Sequence, residues 1–273
     1  MRLTLGLLIL ATLALGALLA PFAQAWLGHD PFSPDLFSRH EAMSAAHPLG
    51  TDELGRDLLL RLLYGARVSL AVGLATALAA AVLGTAIGLL AAWRGGVPDA
   101  ALMRLADGML ALPALPVLII LAAADTGRIG LPRGEPLSDV VRIVAILTVF
   151  GWVGVARLAR AAALSVLARE YVRAARALGA SETRVLLRHV APNVAAPVAV
   201  ATALAVAGAI LAESTLSFLG LGIAPPMASW GNMLSNAQEL VFSAPLAAIW
   251  PGFAILLAVA GCTLVADGLR AHR

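Results

Sequence analysis

The sequence predicts an all-α, polytopic membrane protein with six transmembrane helices and both termini on the cytoplasmic side. Three observations carry that fold. First, 60% of the 273 residues are hydrophobic and 13% are charged, with mean hydropathy +0.90. Average soluble domains are about half apolar and about a quarter charged. So few charges do not cover a soluble globule, whereas surface that faces lipid can stay apolar. Second, six runs approach the ~20 apolar residues that a helix needs to cross a hydrocarbon core. Third, the arginines fall unevenly between alternate loops.

The runs are 3–20, 68–92, 105–124, 143–164, 195–222 and 240–266. Run 68–92 holds no charge. Run 143–164 is interrupted near its end by Arg157 and Arg160, whose long stems can reach the head groups. Arg2 and the small-x-small sequence Ala23-Gln24-Ala25 fit a secretory signal. The first run, however, exceeds a signal core of about 7–15 residues, so it is read as an uncleaved span. Pro113 and Pro116 are expected to kink the third run. Gly84 and Gly88 form a small-xxx-small pair, more often packing than a dimer motif. Arg104 and Asp107 are spaced to pair at i,i+3.

Cations near span ends set orientation. With the N-terminus inside, twelve arginines lie in inner segments and seven outside, the latter being Arg39, Arg56, Arg61, Arg67, Arg128, Arg133 and Arg142. Asp30, Asp35, Glu41, Asp52, Glu53 and Asp57 all lie in the first outer loop. The chain reads as one transmembrane domain over 1–273, with the first span and outside loop in 1–67. The core is 68–273, with a cytoplasmic loop at about 165–193.

Composition also excludes chemistry. Every cation is arginine, so no Walker-type phosphate loop exists, because that loop needs lysine. Schiff-base chemistry is excluded for the same reason. Cys262 sits in an apolar run and reads as a small hydrophobe. The five histidines have no metal-ligand spacing, and none lies in a predicted span. No metal site, nucleic-acid partner or catalytic residue is expected.

In the outer loop, Leu54, Leu58, Leu62 and Leu63 have helical spacing, with Asp57 and Arg61 between them. That predicts a separate amphipathic helix over 52–64, lying on the membrane or against another subunit. Thr51 or Asp52 would cap it.

The cytoplasmic stretch 169–193 reads REYVRAARALGASETRVLLRHVAPN. Residues 169–178 are strong helix formers. Gly179 stands where a helix ends in a left-handed residue. Ser181 is the next N-cap, with Glu182 in the first turn where the helix dipole favours an acid. A second helix follows through Val185, Leu186, Leu187 and Val190, and Pro192 is expected to close it. Ala174, Ala175, Ala177 and Ala180 leave a thin surface ringed by Arg169, Arg173, Arg176, Arg184 and Arg188. The residues leave two readings open. One is a protein-docking element with a small apolar centre and a charged rim. The other is a loop held against anionic lipid. A DNA-reading helix-turn-helix has the same outline, but membrane spans flank this one.

This stretch resembles the loop of the membrane subunits of bacterial ABC importers, patterned Glu-Ala-Ala, three residues, Gly, nine residues, Ile-x-Leu-Pro. Ala174, Ala175, Gly179 and Pro192 match. Arg173, His189 and Ala191 depart from the generic pattern. Arg188-His189-Val190-Ala191-Pro192-Asn193 is similar to the dipeptide/oligopeptide/nickel branch, as are three further stretches. One runs from His47 to Asp57 with Tyr64-Gly65-Ala66-Arg67-Val68-Ser69-Leu70. Another runs from Glu213 to Gly222, with Pro225-Pro226 and Ser229-Trp230-Gly231. The last is Trp250-Pro251-Gly252 with Asp267-Gly268-Leu269-Arg270. The likeness runs from about His47 to the C-terminus and is to the shorter-loop permease type.

The resemblance implies a permease in the bacterial inner membrane, moving peptides. It implies a second permease subunit, two cytoplasmic ATPases holding ATP and Mg, and an extracytoplasmic solute-binding protein. It implies that residues 171–192 couple to the ATPase, through Tyr171, Arg173, Ala174, Ala175, Leu178, Gly179, Ala180, Arg188 and Pro192.

Glu213 is the one acid well inside a span and therefore a functional candidate. It lies nearer the outer end, where it would pack against Ser or Thr of a neighbouring helix or belong to an outer gate. A rival reading makes it the coupling site of a secondary transporter, but the inverted repeats and broken midplane helices of such folds are not seen in the sequence.

Overall fold

The computed structural model describes residues 1–124, 127, 131–235 and 244–271. Among them there is no strand beyond an isolated bridge between Thr51 and Asp57. The elements are α1 (Arg2–Leu27), α2 (Leu58–Arg94), α3 (Gly96–Ala111), α4 (Ala114–Ala123), α5 (Pro136–Leu167), α6 (Glu170–Ala177), α7 (Glu182–Phe218) and α8 (Pro245–Ala271). Five are long and apolar enough to span a membrane, and α3 with α4 makes a sixth if that bent pair is one span. Predicted positions Arg128, Leu240, His272 and Arg273 lie outside the described residues.

α1 and α8 run antiparallel. The Leu3 main chain sits against Gly268, and Gly6 sits against the Gly261 carbonyl. α2 and α5 run parallel. A Cβ on Gly84 would stand 2.6 Å from the Trp152 carbonyl oxygen, and one on Gly88 would stand 2.4 Å from that of Ala156. The small-xxx-small pair is thus the close-packing face of α2 against α5. One end of the bundle gathers the start of α1 and the end of α8, with Arg2 and Asp267 3.7 Å apart, and the α6–α7 protrusion. The opposite end carries loop 28–57 and segment 219–235.

Four sequence expectations change. α1 continues seven residues past Ala20, through Pro21 to Leu27, where Gly28 takes φ 74° and ends it. The loop that follows is shorter accordingly. The separate amphipathic helix over 52–64 does not form. Asp52 Oδ1 instead accepts the main-chain N–H groups of Leu54 and Arg56, each at 2.9 Å, and folds a tight turn. The helix starts at Leu58 with Asp57 as its cap, accepting Leu60 N–H at 2.8 Å, and runs unbroken into the span. The third run is broken rather than merely kinked, with an 87° bend between α3 and α4 at Leu112-Pro113. Asp107 pairs with Arg157 of α5 at 3.4 Å, not with Arg104 of its own helix. Nearby, Arg160 makes a two-pronged bond to Asp99, with Nη2 at 2.6 Å, tying α5 to α3. The two arginines that interrupt the fourth run therefore serve as inter-helix ties.

Candidate functional site

The α6–α7 protrusion is built by local chain signals. α6 ends in a Schellman turn: Gly179 takes φ 84°, its N–H bonds the Arg176 carbonyl at 2.9 Å, and Ala180 N–H bonds the Ala175 carbonyl at 3.0 Å. Only glycine adopts that left-handed conformation cheaply. Ser181 then caps α7, accepting Arg184 N–H at 3.4 Å. Arg176 donates to both oxygens of Glu182, at 2.8 and 2.9 Å, and clamps the two helices together.

Pro192 does not close the second helix, contrary to the sequence expectation. The chain widens into a π turn at Leu186–Val190, with Ala191 N–H reaching back to the Leu186 carbonyl, and the helix runs on to Phe218. Proline lacks an N–H and crowds the carbonyl four residues earlier; the wider turn relieves both. The Asn193 side chain donates to the His189 carbonyl at 2.7 Å, satisfying an acceptor beside the irregularity.

Beneath the tip lies an apolar foundation that sequence reading missed. Val172, Val185, Val190 and Val194 are fully buried with Ala92, Ala159, Ala163 and Val166, joining the protrusion to the ends of α2 and α5. The valine spacing was the available signal, but only the tertiary fold shows what the valines meet. The tip faces outward: Leu178 is 88% exposed and Leu187 66%. Tyr171, Arg173, Ala174, Gly179, Arg188 and Pro192 are exposed, while Ala175 and Ala180 are half-buried. The Tyr171 ring stands 5.9 Å from that of His189. Nine predicted positions thus share one protrusion.

Glu213 lies apart, near the other end. It is fully buried and accepts Ser69 Oγ of α2 at 3.0 Å and Ser217 Oγ at 2.7 Å. Those hydroxyls in turn accept Trp230 N–H at 3.1 Å and Ile223 N–H at 3.0 Å. A second tie, not foreseen, comes from α5. Arg142 donates to the Gly222 carbonyl at 2.9 Å and to Asp139 at 3.0 Å, and Asp139 accepts Ala224 N–H at 3.1 Å. Acids from two spans hold the 219–235 segment across the bundle end.

Residues 84–272 match the family described as the binding-protein-dependent transport system inner membrane component. The chain belongs to this family. A putative peptide transport system permease protein of Brucella suis is 40% identical over 266 residues, covering 97% of this chain and 84% of that protein. The oligopeptide transport system permease protein OppC of Bacillus subtilis is 35% identical over 265 residues, 97% and 82% of the two chains. The nickel transport system permease protein NikC of Escherichia coli K12 is 37% identical over 265 residues, 97% and 92%. As an inner membrane permease of a binding-protein-dependent system, the chain needs the helical bundle described above. The family match takes in the protrusion, Glu213 and the Asp139–Arg142 tie, and stops short of loop 28–57.

Proposed function

We propose that this chain is one permease subunit of an ATP-driven importer of di- and oligopeptides, acting as a single transmembrane domain. It pairs with a second permease, two ATPases that hold ATP and Mg, and an extracytoplasmic solute-binding protein. The arginine bias puts both termini and the α6–α7 protrusion in the cytoplasm.

One observation carries the coupling role: an apolar tip, Leu178 and Leu187, stands among arginines on a foundation shared with the spans. An exposed apolar centre with a charged rim suits a protein groove. ATP closure displaces the docked tip. The buried valines make α6 and the start of α7 move as one body with the ends of α2 and α5, a rigid-body transition. At the far end, Glu213 and the Asp139–Arg142 pair hold segment 219–235 and set the outer closure.

The test is ATP-dependent uptake of labelled peptide in vesicles holding the assembled subunits, wild type against Gly179→Arg. Loss of uptake, with hydrolysis uncoupled or assembly weakened, supports the reading. Unchanged uptake rejects the protrusion as coupling element, and uptake driven by a proton gradient without ATP supports the secondary-transporter rival. The 37% identity to NikC favours a second cargo, nickel or another small solute. Competition of labelled peptide uptake by nickel separates the two.

A further inference from the structure

Loop 28–57 holds a small turn with more scaffolding than its position requires. Leu36–Ser38 forms one 3-10 turn. Asp35 caps it, accepting Phe37 N–H at 3.1 Å and Ser38 Oγ at 2.9 Å. Asp35 N–H bonds the Leu54 carbonyl at 2.8 Å, and Thr51 Oγ1 donates to the Ser38 carbonyl at 2.5 Å while accepting Glu41 N–H at 2.8 Å. Gly55, at φ 74°, lies so close that a Cβ there would stand 1.7 Å from the Asp35 carbonyl oxygen. Below, buried Asp52 binds Arg56 Nε at 2.8 Å and Arg61 Nε at 3.3 Å, and Asp57 binds His47 Nδ1 at 2.9 Å.

This fixed turn leaves Phe37 fully exposed and Leu36 61% exposed. Most other large exposed apolar side chains sit on spanning helices, where lipid covers them, or at the α6–α7 tip. An aromatic anchor held rigid loses little entropy on docking. Its surroundings are acidic. Within loop 28–57, Asp30, Asp35 and Glu41 are exposed against one exposed arginine, Arg39; Arg56 and Arg61 are buried on Asp52, and Arg67, exposed on α2, stands over the Tyr64 ring. The Ser33 hydroxyl and Phe32 N–H hold the Asp30 carboxyl below its ordinary range, so it stays charged. An acidic rim repels anionic head groups. It suits a soluble partner with an apolar pocket and basic edges.

We infer that Leu36 and Phe37 are the anchor by which this chain receives the extracytoplasmic solute-binding protein. The inference rests on the importer reading. Its test titrates ATPase stimulation by purified binding protein in vesicles holding the assembled transporter. Wild type is compared with Phe37→Ser and with the double variant Leu36→Ser/Phe37→Ser. The half-stimulating concentration should rise about tenfold or more, with high binding-protein concentration restoring the rate. Stimulated wild type and unchanged variants overturn this inference alone; unstimulated wild type overturns it together with the importer reading. A maleimide dye on Phe37→Cys, with partners free of cysteine, tests the lipid alternative. Cys262 is 3% exposed and stays unlabelled. An emission shift on adding binding protein supports the anchor, and quenching by brominated lipid overturns it.

Discussion

At one end of the bundle Leu178 and Leu187 stand among arginines; at the other, Leu36 and Phe37 stand beside Asp30, Asp35 and Glu41. Both tips are apolar and exposed, but their foundations differ. The inner tip rests on valines buried among the ends of α2 and α5, so its position is set by the spans themselves. The outer tip rests on a net of hydrogen bonds and buried ion pairs that ends on Arg61 in the first turn of α2. The inner tip shares an apolar core with the ends of two spans and can pass displacement to both, whereas the outer tip meets α2 at its first turn, through the Asp52–Arg61 pair and the Asp57 cap. Under the proposed function, that contrast suits coupling at the inner end and reception at the outer.

Breaking each foundation should therefore fail differently. The largest effect is expected at Asp52→Ala. It removes the nearest carboxylate from Arg56 and Arg61, which are 6% and 3% exposed and keep contacts to Glu53 at 3.7 Å and to the Pro31 carbonyl at 3.3 Å, at a cost of about 3 kcal/mol. Thermal unfolding in detergent would show it as a lowered midpoint, with poor yield in membranes. Next is Val172→Ala/Val185→Ala, worth about 2–4 kcal/mol through cavities at the inner foundation. Here peptide moved per ATP hydrolysed should fall, a loss that simple destabilisation would not produce in the surviving folded complexes.

Gly179 sharpens the comparison at smaller scale. Gly179→Ala strains the φ 84° turn by about 1 kcal/mol, whereas Gly179→Asn, which tolerates that conformation, should behave close to wild type. Comparing thermal midpoints and uptake of the two separates turn geometry from side-chain size. Smallest is Arg176→Ala. Its pair with Glu182 is 38% and 50% exposed, so less than about 1 kcal/mol should be lost, and less still at high salt.

The inner protrusion was legible because its signals are local: Gly179 ends one helix and Ser181 begins the next within three residues. The outer end was less legible because its decisive bonds are not helical. Leu54 and Leu58 have helical spacing, yet Asp52 takes the N–H groups that a helix starting there would present. Pro192 reads as a stop in any single sequence, since the π turn that absorbs it has no marker of its own. Asp107 had a partner three residues away in Arg104, but only the packed bundle brings Arg157 within 3.4 Å. Glu213 stood out by charge and Ser217 lies one turn on, whereas Ser69 reaches it across 144 residues of sequence and Trp230 reaches Ser69 across 161.

The central claim is that the inner tip is the surface the ATPase grips. Its most direct test is recovery of the ATPase with this chain from detergent extract, wild type against Leu178→Asp/Leu187→Asp. Both positions are exposed, so the fold and thermal midpoint should hold. Burying two acids in an apolar groove should reduce recovered ATPase about thirtyfold or more. Undiminished recovery by the double variant, at unchanged stability, would contradict the account.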